Sequence, residues 1–91
     1  MAQVTFTRHL QRFFPKLPQA DSVPGATVRE VLDELDRRYA GFSGYVVDET
    51  GRLRRHVNVF VRQEPICDRE TLSDRVGPQD EVFIVQALSG G

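Results

Sequence analysis

The sequence has few of the residues that form disulfides, membrane spans or metal sites. Of its 91 residues only one is cysteine, Cys67, so an internal disulfide is excluded and a reducing compartment is favoured. No apolar run approaches the roughly 20 residues that span a bilayer. The first residues lack a basic segment followed by an apolar one, so we expect no secretory signal. These absences predict a cytoplasmic protein with no membrane partner.

An excess of charge of either sign is also lacking. The 12 basic and 13 acidic residues give a formal net charge of −1, which provides no overall field for nucleic acid or an anionic membrane. The two histidines, His9 and His56, stand in no spacing with cysteine or carboxylates that resembles a zinc or iron site. No glycine-rich loop opens a helix as a phosphate cradle would, and no pair of carboxylates indicates acid–base chemistry. We therefore expect no metal, no bound cofactor and no catalytic cluster.

The clearest element present is a helix from Thr27 to about Tyr39. Thr27 and Glu30, three residues apart, form the pattern of a capping box. Apolar residues at helical spacing define one face, namely Val28, Val31, Leu32, Leu35 and Tyr39. Acid-first pairs four residues apart favour ion pairs on the other side, namely Asp33 with Arg37 and Glu34 with Arg38. The pattern predicts a helix whose apolar face lies against the core.

Four segments are predicted as strands. Their apolar and β-branched residues suit half-buried strands, and they are Val4–Thr7, Gln19–Val23, Leu53–Arg62 and Glu81–Ala87. The order predicts an α+β roll, in which one main helix crosses a mixed sheet of four to five strands. The first strand is expected to pair in parallel with the last, as in the β-grasp (ubiquitin-like) arrangement. We expect one domain over residues 1–87 and a flexible tail over residues 88–91.

The connections between these elements are predicted from local composition. Two prolines within Phe13–Pro18 favour a loop or a strand edge. Gly41–Val47 is expected to lead into a turn over Asp48–Gly51. Thr71–Asp74 indicates a single helical turn.

The sequence ends on Leu88-Ser89-Gly90-Gly91. Glycine has no Cβ, so Gly90 and Gly91 form a thread that can enter a channel too narrow for other residues. Fully extended, the last four residues reach roughly 13–14 Å, at about 3.3–3.6 Å per residue. The alternative is a frayed chain end without a role, since chain ends are commonly disordered.

Several motifs in this order resemble the MoaD/ThiS family of ubiquitin-like sulfur carriers. They are the strand His56–Val61, the turn Gly77–Val82 with Asp80, and the terminal Gly90-Gly91. The resemblance covers the whole chain and is nearest to the longer, CysO-type carriers, which have an extended hairpin where this chain has residues 48–55.

The resemblance implies a chemistry for the chain end. A carboxylate is a poor acyl electrophile, so a ubiquitin-activating-type partner is implied to adenylate the Gly91 carboxylate with ATP. A sulfur donor then displaces AMP and leaves a thiocarboxylate on Gly91, with Gly90 keeping the terminus slim. The chain is implied to be a protein co-substrate and not an enzyme. Its second implied partner is a sulfur-accepting biosynthetic enzyme, first of all one for cysteine.

Three alternatives stay open at this point. The chain could be the small subunit of molybdopterin synthase, although many such subunits carry prolines where this chain has Gln86-Ala87-Leu88. It could be a ubiquitin-like modifier that is conjugated to lysines of other proteins. It could also be a non-reactive interaction module whose diglycine is incidental.

A partner-binding surface is predicted on the sheet. If the valines of the third strand and Val82 and Ile84 face the helix, then Phe60, Phe83 and Val85 lie on the opposite face. An aromatic group there indicates a docking patch, to which we add Leu88. The alternative is that Phe13, Phe14 or Phe42 folds over the patch.

Basic residues near the predicted hairpin are a second part of this surface. Arg54 and Arg55, flanked by Arg52 and Arg62, are expected to steer an acidic partner. A solvated basic face without a partner is an equal alternative.

Overall fold

The computed structural model of the chain describes residues 1–86, and within them the chain forms five strands and three helices. In chain order these are β1 Ala2–Phe6, α1 Arg8–Phe13, β2 Ala20–Val23, α2 Val28–Arg38, α3 Phe42–Val46, β3 Val57–Val61, β4 Glu64–Pro65 and β5 Glu81–Gln86.

The strands form one mixed sheet with the order β2-β1-β5-β3-β4. β1 pairs in parallel with β5, and Val4 lies opposite Val82. The other pairings are antiparallel, including that of β3 with β5, in which Val59 lies opposite Ile84. The β-grasp architecture and the parallel pairing of the first and last strands are therefore confirmed.

The core lies between the sheet and α2. The predicted apolar stripe of α2 is buried at Val28, Val31, Leu32 and Leu35. The strands alternate, so that β3 buries its three valines and leaves Asn58 and Phe60 half-buried. Among the described residues, every buried side chain is apolar. This separation of an apolar core from polar edges is what holds α2 across the sheet.

The N-terminus of α2 has side-chain caps close to those predicted. Thr27 Oγ1 accepts a hydrogen bond from the Glu30 N–H at 3.2 Å, and Glu30 Oε1 accepts one from the Ala26 N–H at 3.1 Å. The Glu30 bond thus reaches one residue further back than in a standard capping box.

Of the two ion pairs predicted on α2, one is formed. Glu34 pairs with Arg38 at 3.0 Å, as expected. Arg37 pairs with Glu34 at 2.9 Å and not with Asp33, so that prediction is wrong. Glu34 therefore serves both arginines, and Arg38 also pairs with Asp21 at 3.0 Å.

Two short helices were missed by the sequence predictions. α1 occupies the approach to the segment Phe13–Pro18, which was expected to be a loop or a strand edge, and α3 occupies most of Gly41–Val47. Helices of six and five residues are too short to be stable by propensity, so their stability comes from packing. Phe42 supplies that packing, because its ring contacts Phe6 at 5.7 Å and Phe14 at 5.4 Å between centroids.

Two further local predictions are corrected. The strand predicted over Leu53–Arg62 is too long: Leu53 pairs only with Val47 as an isolated bridge, and β3 begins at Val57 after a turn. The predicted helical turn at Thr71–Asp74 is absent, because buried Leu72 has a left-handed backbone with φ 59°. Residues 68–73 instead form a loop that is organised by the carboxylate of Asp68. The pKa of this carboxylate is lowered chiefly by hydrogen bonds from Ser73 and Thr71.

Candidate functional site

The end of β5 is the point from which the remaining residues of the chain continue. β5 ends at Gln86, which lies opposite Val57 at the start of β3. On its other side Phe6, at the end of β1, lies opposite Ile84. We call this the tail end of the sheet; it joins the ends of β1 and β5 to the start of β3.

Residues 87–91, which include Leu88, Gly90 and Gly91, lie outside the described residues. Five residues reach at most about 17 Å beyond Gln86 when extended. The roles predicted for Leu88, Gly90 and Gly91 therefore stay predictions, and the geometry concerns the strand from which they continue.

β5 is fixed by two hydrogen-bonded neighbours. It lies between β1 and β3 in the sheet, and Val82 and Ile84 are 1% and 0% exposed. A strand paired on both sides and buried on one face has a strongly specified register. The position of Gln86 is therefore set by the core.

Arg69 holds the start of β3 in place, which the sequence analysis did not anticipate. Its guanidinium Nη2 donates to the carbonyl oxygens of Arg54 at 2.7 Å and Val57 at 2.8 Å, and Nη1 donates to Asn58 Oδ1 at 3.2 Å. Its own carbonyl accepts from the Leu53 N–H at 2.8 Å. Since Val57 is the partner of the last described residue of β5, Arg69 braces the tail end.

The predicted aromatic residues share the sheet face that lies away from α2. Phe60 of β3 lies opposite Phe83 of β5, and Asn58 lies opposite Val85. All three apolar side chains are half-buried, whereas the residues on either side of Phe60 and Phe83 are buried in the core. Pro65 of β4 lies opposite Phe60 on the next strand. We call Phe60, Phe83 and Val85 the outer-face patch.

The phenylalanines that were considered as a cover for this patch pack elsewhere. Phe13 contacts Tyr45 with 4.9 Å between ring centroids and His9 with 5.3 Å. Phe14 and Phe42 contact each other and belong to the same cluster between α1 and α3. Within residues 1–86, none of the close ring pairs joins these phenylalanines to Phe60 or Phe83.

The basic residues near β3 differ in their contacts. Arg54 donates through Nε and Nη2 to the Gly44 carbonyl, at 3.3 and 3.1 Å. Arg55 is exposed. In contrast, Arg52 pairs with Glu70 at 2.9 Å and Arg62 pairs with Asp80. Arg54 and Arg55 both precede β3 and therefore lie at the tail end.

Asp80 stabilises the turn that leads into β5. Its carboxylate accepts a hydrogen bond from the Gly77 N–H at 2.6 Å. That bond, followed by the ion pair with Arg62, lowers the pKa of Asp80. The turn recognised in the sequence by its glycine and aspartate thus starts β5 at a fixed point.

Neither a membrane-spanning helix nor a metal cluster is present in residues 1–86. The helices of this part of the chain are too short and too polar to span a bilayer. In the same part of the chain, no three His, Cys, Asp or Glu side chains are grouped so that they could hold a metal ion.

Replacing Arg69 with lysine is expected to lower the free energy of unfolding by about 1–3 kcal/mol. A single ammonium cannot reach all three acceptors, so carbonyls at the start of β3 lose their partner. Arg75→Lys is the control, because Arg75 is exposed. Its free energy of unfolding should stay within about 0.5 kcal/mol of the wild-type value. Urea unfolding of both variants is the measurement, and equal stabilities would contradict the bracing role.

Comparison with known proteins gives a consistent picture. The sequence matches the ThiS family over residues 9–91. It is 32% identical to the sulfur carrier protein CysO of Mycobacterium tuberculosis and of Mycobacterium bovis, over 72 residues that make up 77% of each chain.

Solved structures with the same fold include CysO proteins. A chain in the BexX/CysO complex of Amycolatopsis orientalis superposes with a TM-score of 0.86 at 28% identity, over 100% of both chains. CysO of Mycobacterium tuberculosis superposes with a TM-score of 0.83 at 26% identity, over 97% of this chain and 100% of that one. Small archaeal modifier protein 1 of Haloferax volcanii, at 24% identity and a TM-score of 0.76, shares the fold. Together, the family match, the identity to the CysO carriers and the shared β-grasp fold show that this chain belongs to the ThiS family of ubiquitin-like sulfur carriers.

Proposed function

We propose that this chain carries sulfur as a thiocarboxylate on its terminal residue, Gly91. The observation that carries the proposal is the 32% identity to CysO sulfur carriers, combined with a sequence that ends on Gly90-Gly91. The chain takes part as a co-substrate, and partner enzymes supply the catalysis.

The first step activates the carboxylate. A carboxylate oxygen of Gly91 attacks the α-phosphate of ATP, pyrophosphate leaves, and an acyl-adenylate remains. ATP is bound by the adenylating partner and not by this chain. Gly90 and Gly91 suit this step, because a main chain without side chains can enter a narrow active site.

The second step introduces sulfur. A sulfide-equivalent donor attacks the acyl carbon, the bond from that carbon to the phosphate-bearing oxygen breaks, and AMP leaves with the electron pair. The product is a C-terminal thiocarboxylate. Its sulfur is a nucleophile that stays attached to a folded domain, so a second enzyme can bind the domain and use the sulfur.

The sheet gives this chemistry a fixed starting point. Gln86 is paired with Val57 in a strand that has neighbours on both sides. A partner that recognises the domain thereby fixes where residue 87 starts, and the five remaining residues reach at most about 17 Å. Positioning of this kind lowers the entropic cost of bringing the carboxylate to ATP.

Sulfur delivery for cysteine biosynthesis is the pathway that we propose, since the chain is 32% identical to CysO sulfur carriers. We propose the cytoplasm as the place of the reaction. The small subunit of molybdopterin synthase is the alternative within the same chemistry. A ubiquitin-like modifier is the alternative of a different class, and a Gly-Gly remnant on lysines of other cellular proteins would favour it.

We further propose that partners dock on the outer-face patch and reach the tail through Leu88. Half-buried aromatic and aliphatic side chains on a sheet face away from the core are suited to a buried interface centre. Arg54 and Arg55 lie at the adjoining tail end and would meet the rim of such an interface.

Deleting Gly90 and Gly91 is expected to abolish pyrophosphate release from ATP by the purified adenylating partner. The free energy of unfolding should change by less than about 0.5 kcal/mol, because the last residues of a domain usually contribute little to its core. Ser89→Ala, which keeps both glycines, is the control and should react like the wild type. Loss of folding in the deletion variant, or its normal activation, would contradict the proposal.

Phe60→Asn is expected to weaken binding to the adenylating partner at least about ten-fold, because it removes an aromatic ring from the centre of the proposed interface. Phe13→Asn is the matched control: it makes the same uncharged change at a phenylalanine that is 55% exposed and lies in the α1–α3 cluster. Binding is measured by calorimetry, with thermal melts to check folding. An equal loss in the control would place the interface elsewhere.

A further inference from the structure

Basic residues are concentrated in two segments that contain no acidic residue. Residues 1–20 contain three basic residues and no aspartate or glutamate. Residues 51–63 contain four basic residues and likewise no acidic residue. Residues 64–81 show the opposite bias, with six acidic and two basic residues. The net charge of −1 therefore conceals a strong asymmetry along the chain.

The fold brings parts of the two acid-free segments together. α1 follows β1, which ends beside the end of β5 because the two strands are parallel. Arg54 and Arg55 precede β3, which starts beside the end of β5 because those strands are antiparallel. Arg8 and Arg12, four residues apart on α1, thus lie at the same end of the sheet as Arg54 and Arg55. We call these four residues the arginine collar.

Within the described part of the chain, no collar residue forms a salt bridge. The ion pairs of residues 1–86 involve Arg37, Arg38, Arg52 and Arg62 and no collar residue. Arg8, Arg12 and Arg55 are exposed, and Arg54 donates only to a carbonyl.

Acidic side chains beside Arg54 and towards the end of α2 are already engaged in hydrogen bonds. Asp48 accepts from the Thr50 hydroxyl and the Arg52 N–H; its pKa is lowered chiefly by the Thr50 bond, with a smaller contribution from the charge of Arg54. Glu34 binds Arg37 and Arg38. Asp36 accepts a hydrogen bond from the Ser43 N–H at 3.0 Å. Asp48 therefore offsets part of the charge of Arg54, while Glu34 and Asp36 are bound to other groups and do not neutralise the collar.

We propose that the arginine collar recognises an acidic rim around the active-site opening of the enzyme that receives the tail. This inference rests on the proposed function and adds residues in α1 to the surface. Four like charges at the end of the sheet where β5 ends would orient the encounter so that this end faces the partner. The chain's own terminal carboxylate offers one negative charge against four, so it does not saturate the collar.

The collar acts on the encounter and not on the reacting carbon. Five residues follow Gln86 and reach up to about 17 Å when fully extended, and charges further apart than about 8 Å are largely screened at physiological salt. The expected effect is therefore on the association rate, with little change in the dissociation rate.

A titration with a deca-glutamate peptide, followed by amide NMR shifts, tests the collar independently of any enzyme. At low salt the shifts should concentrate at α1 and at residues 54–55, and they should disappear at high salt. Arg8→Glu combined with Arg55→Glu should weaken peptide binding at least about ten-fold. Arg8→Glu is compatible with folding, because a carboxylate in the first turn of a helix is favourable.

Arg75→Glu is the matched control. Arg75 is exposed and pairs with Thr27 in an isolated bridge before α2, at the opposite end of the sheet. It should change peptide binding by less than about two-fold, as expected for a charge outside the contact. An equal loss of peptide affinity in the control, or NMR shifts spread over both ends of the sheet, would contradict the role proposed for the collar.

Association with the adenylating partner, measured by stopped flow, separates this inference from the proposed function. The Arg8→Glu/Arg55→Glu variant should associate about ten-fold more slowly at low salt, and Arg75→Glu should match the wild type. If the collar variant associates as fast as the wild type while sulfur still loads onto the chain, the role proposed for the collar is wrong and the carrier function stands. If the peptide titration succeeds and no sulfur loads, the carrier function is wrong.

Discussion

Everything proposed for this protein depends on β5 being held between two strands. β1 pairs with β5 in parallel and β3 pairs with it antiparallel, while Ile84 faces the core with no exposed surface. A slip by one residue would turn Ile84 outward and Phe83 inward, so burial fixes the register. The chain thus continues from one defined place, with Val85 of the outer-face patch next to Gln86 and the arginine collar at the same end of the sheet.

The sequence predicted the elements that have long, regular patterns. The apolar stripe of α2 and the alternation in β3 and β5 each repeat with a fixed period, which can be detected in the sequence alone. The cap at Thr27 is a local motif, with Glu30 three residues later. The short helices could not be predicted this way, because α1 and α3 depend on Phe42 packing against Phe6 and Phe14, which are distant in sequence. The pairing of the first strand with the last followed from element order alone.

The candidate site was predictable only in part. Phe60, Phe83 and Val85 could be assigned to one face because strand residues alternate. Arg69 could not be found, since its hydrogen bonds to Arg54 and Val57 arise from a loop that folds back over the start of β3. The arginine collar required the sheet order as well, because it joins residues that are more than 40 positions apart in the sequence.

The central claim is that the folded domain positions the chain end for partner enzymes, and that the Gly91 carboxylate is the group that reacts. Intact-mass spectrometry after incubation with ATP, a sulfide source and the adenylating partner tests it most directly. A mass gain equal to the replacement of one oxygen by sulfur, located on the C-terminal peptide, is predicted. An unchanged mass, when the same reaction releases pyrophosphate from ATP, would contradict it.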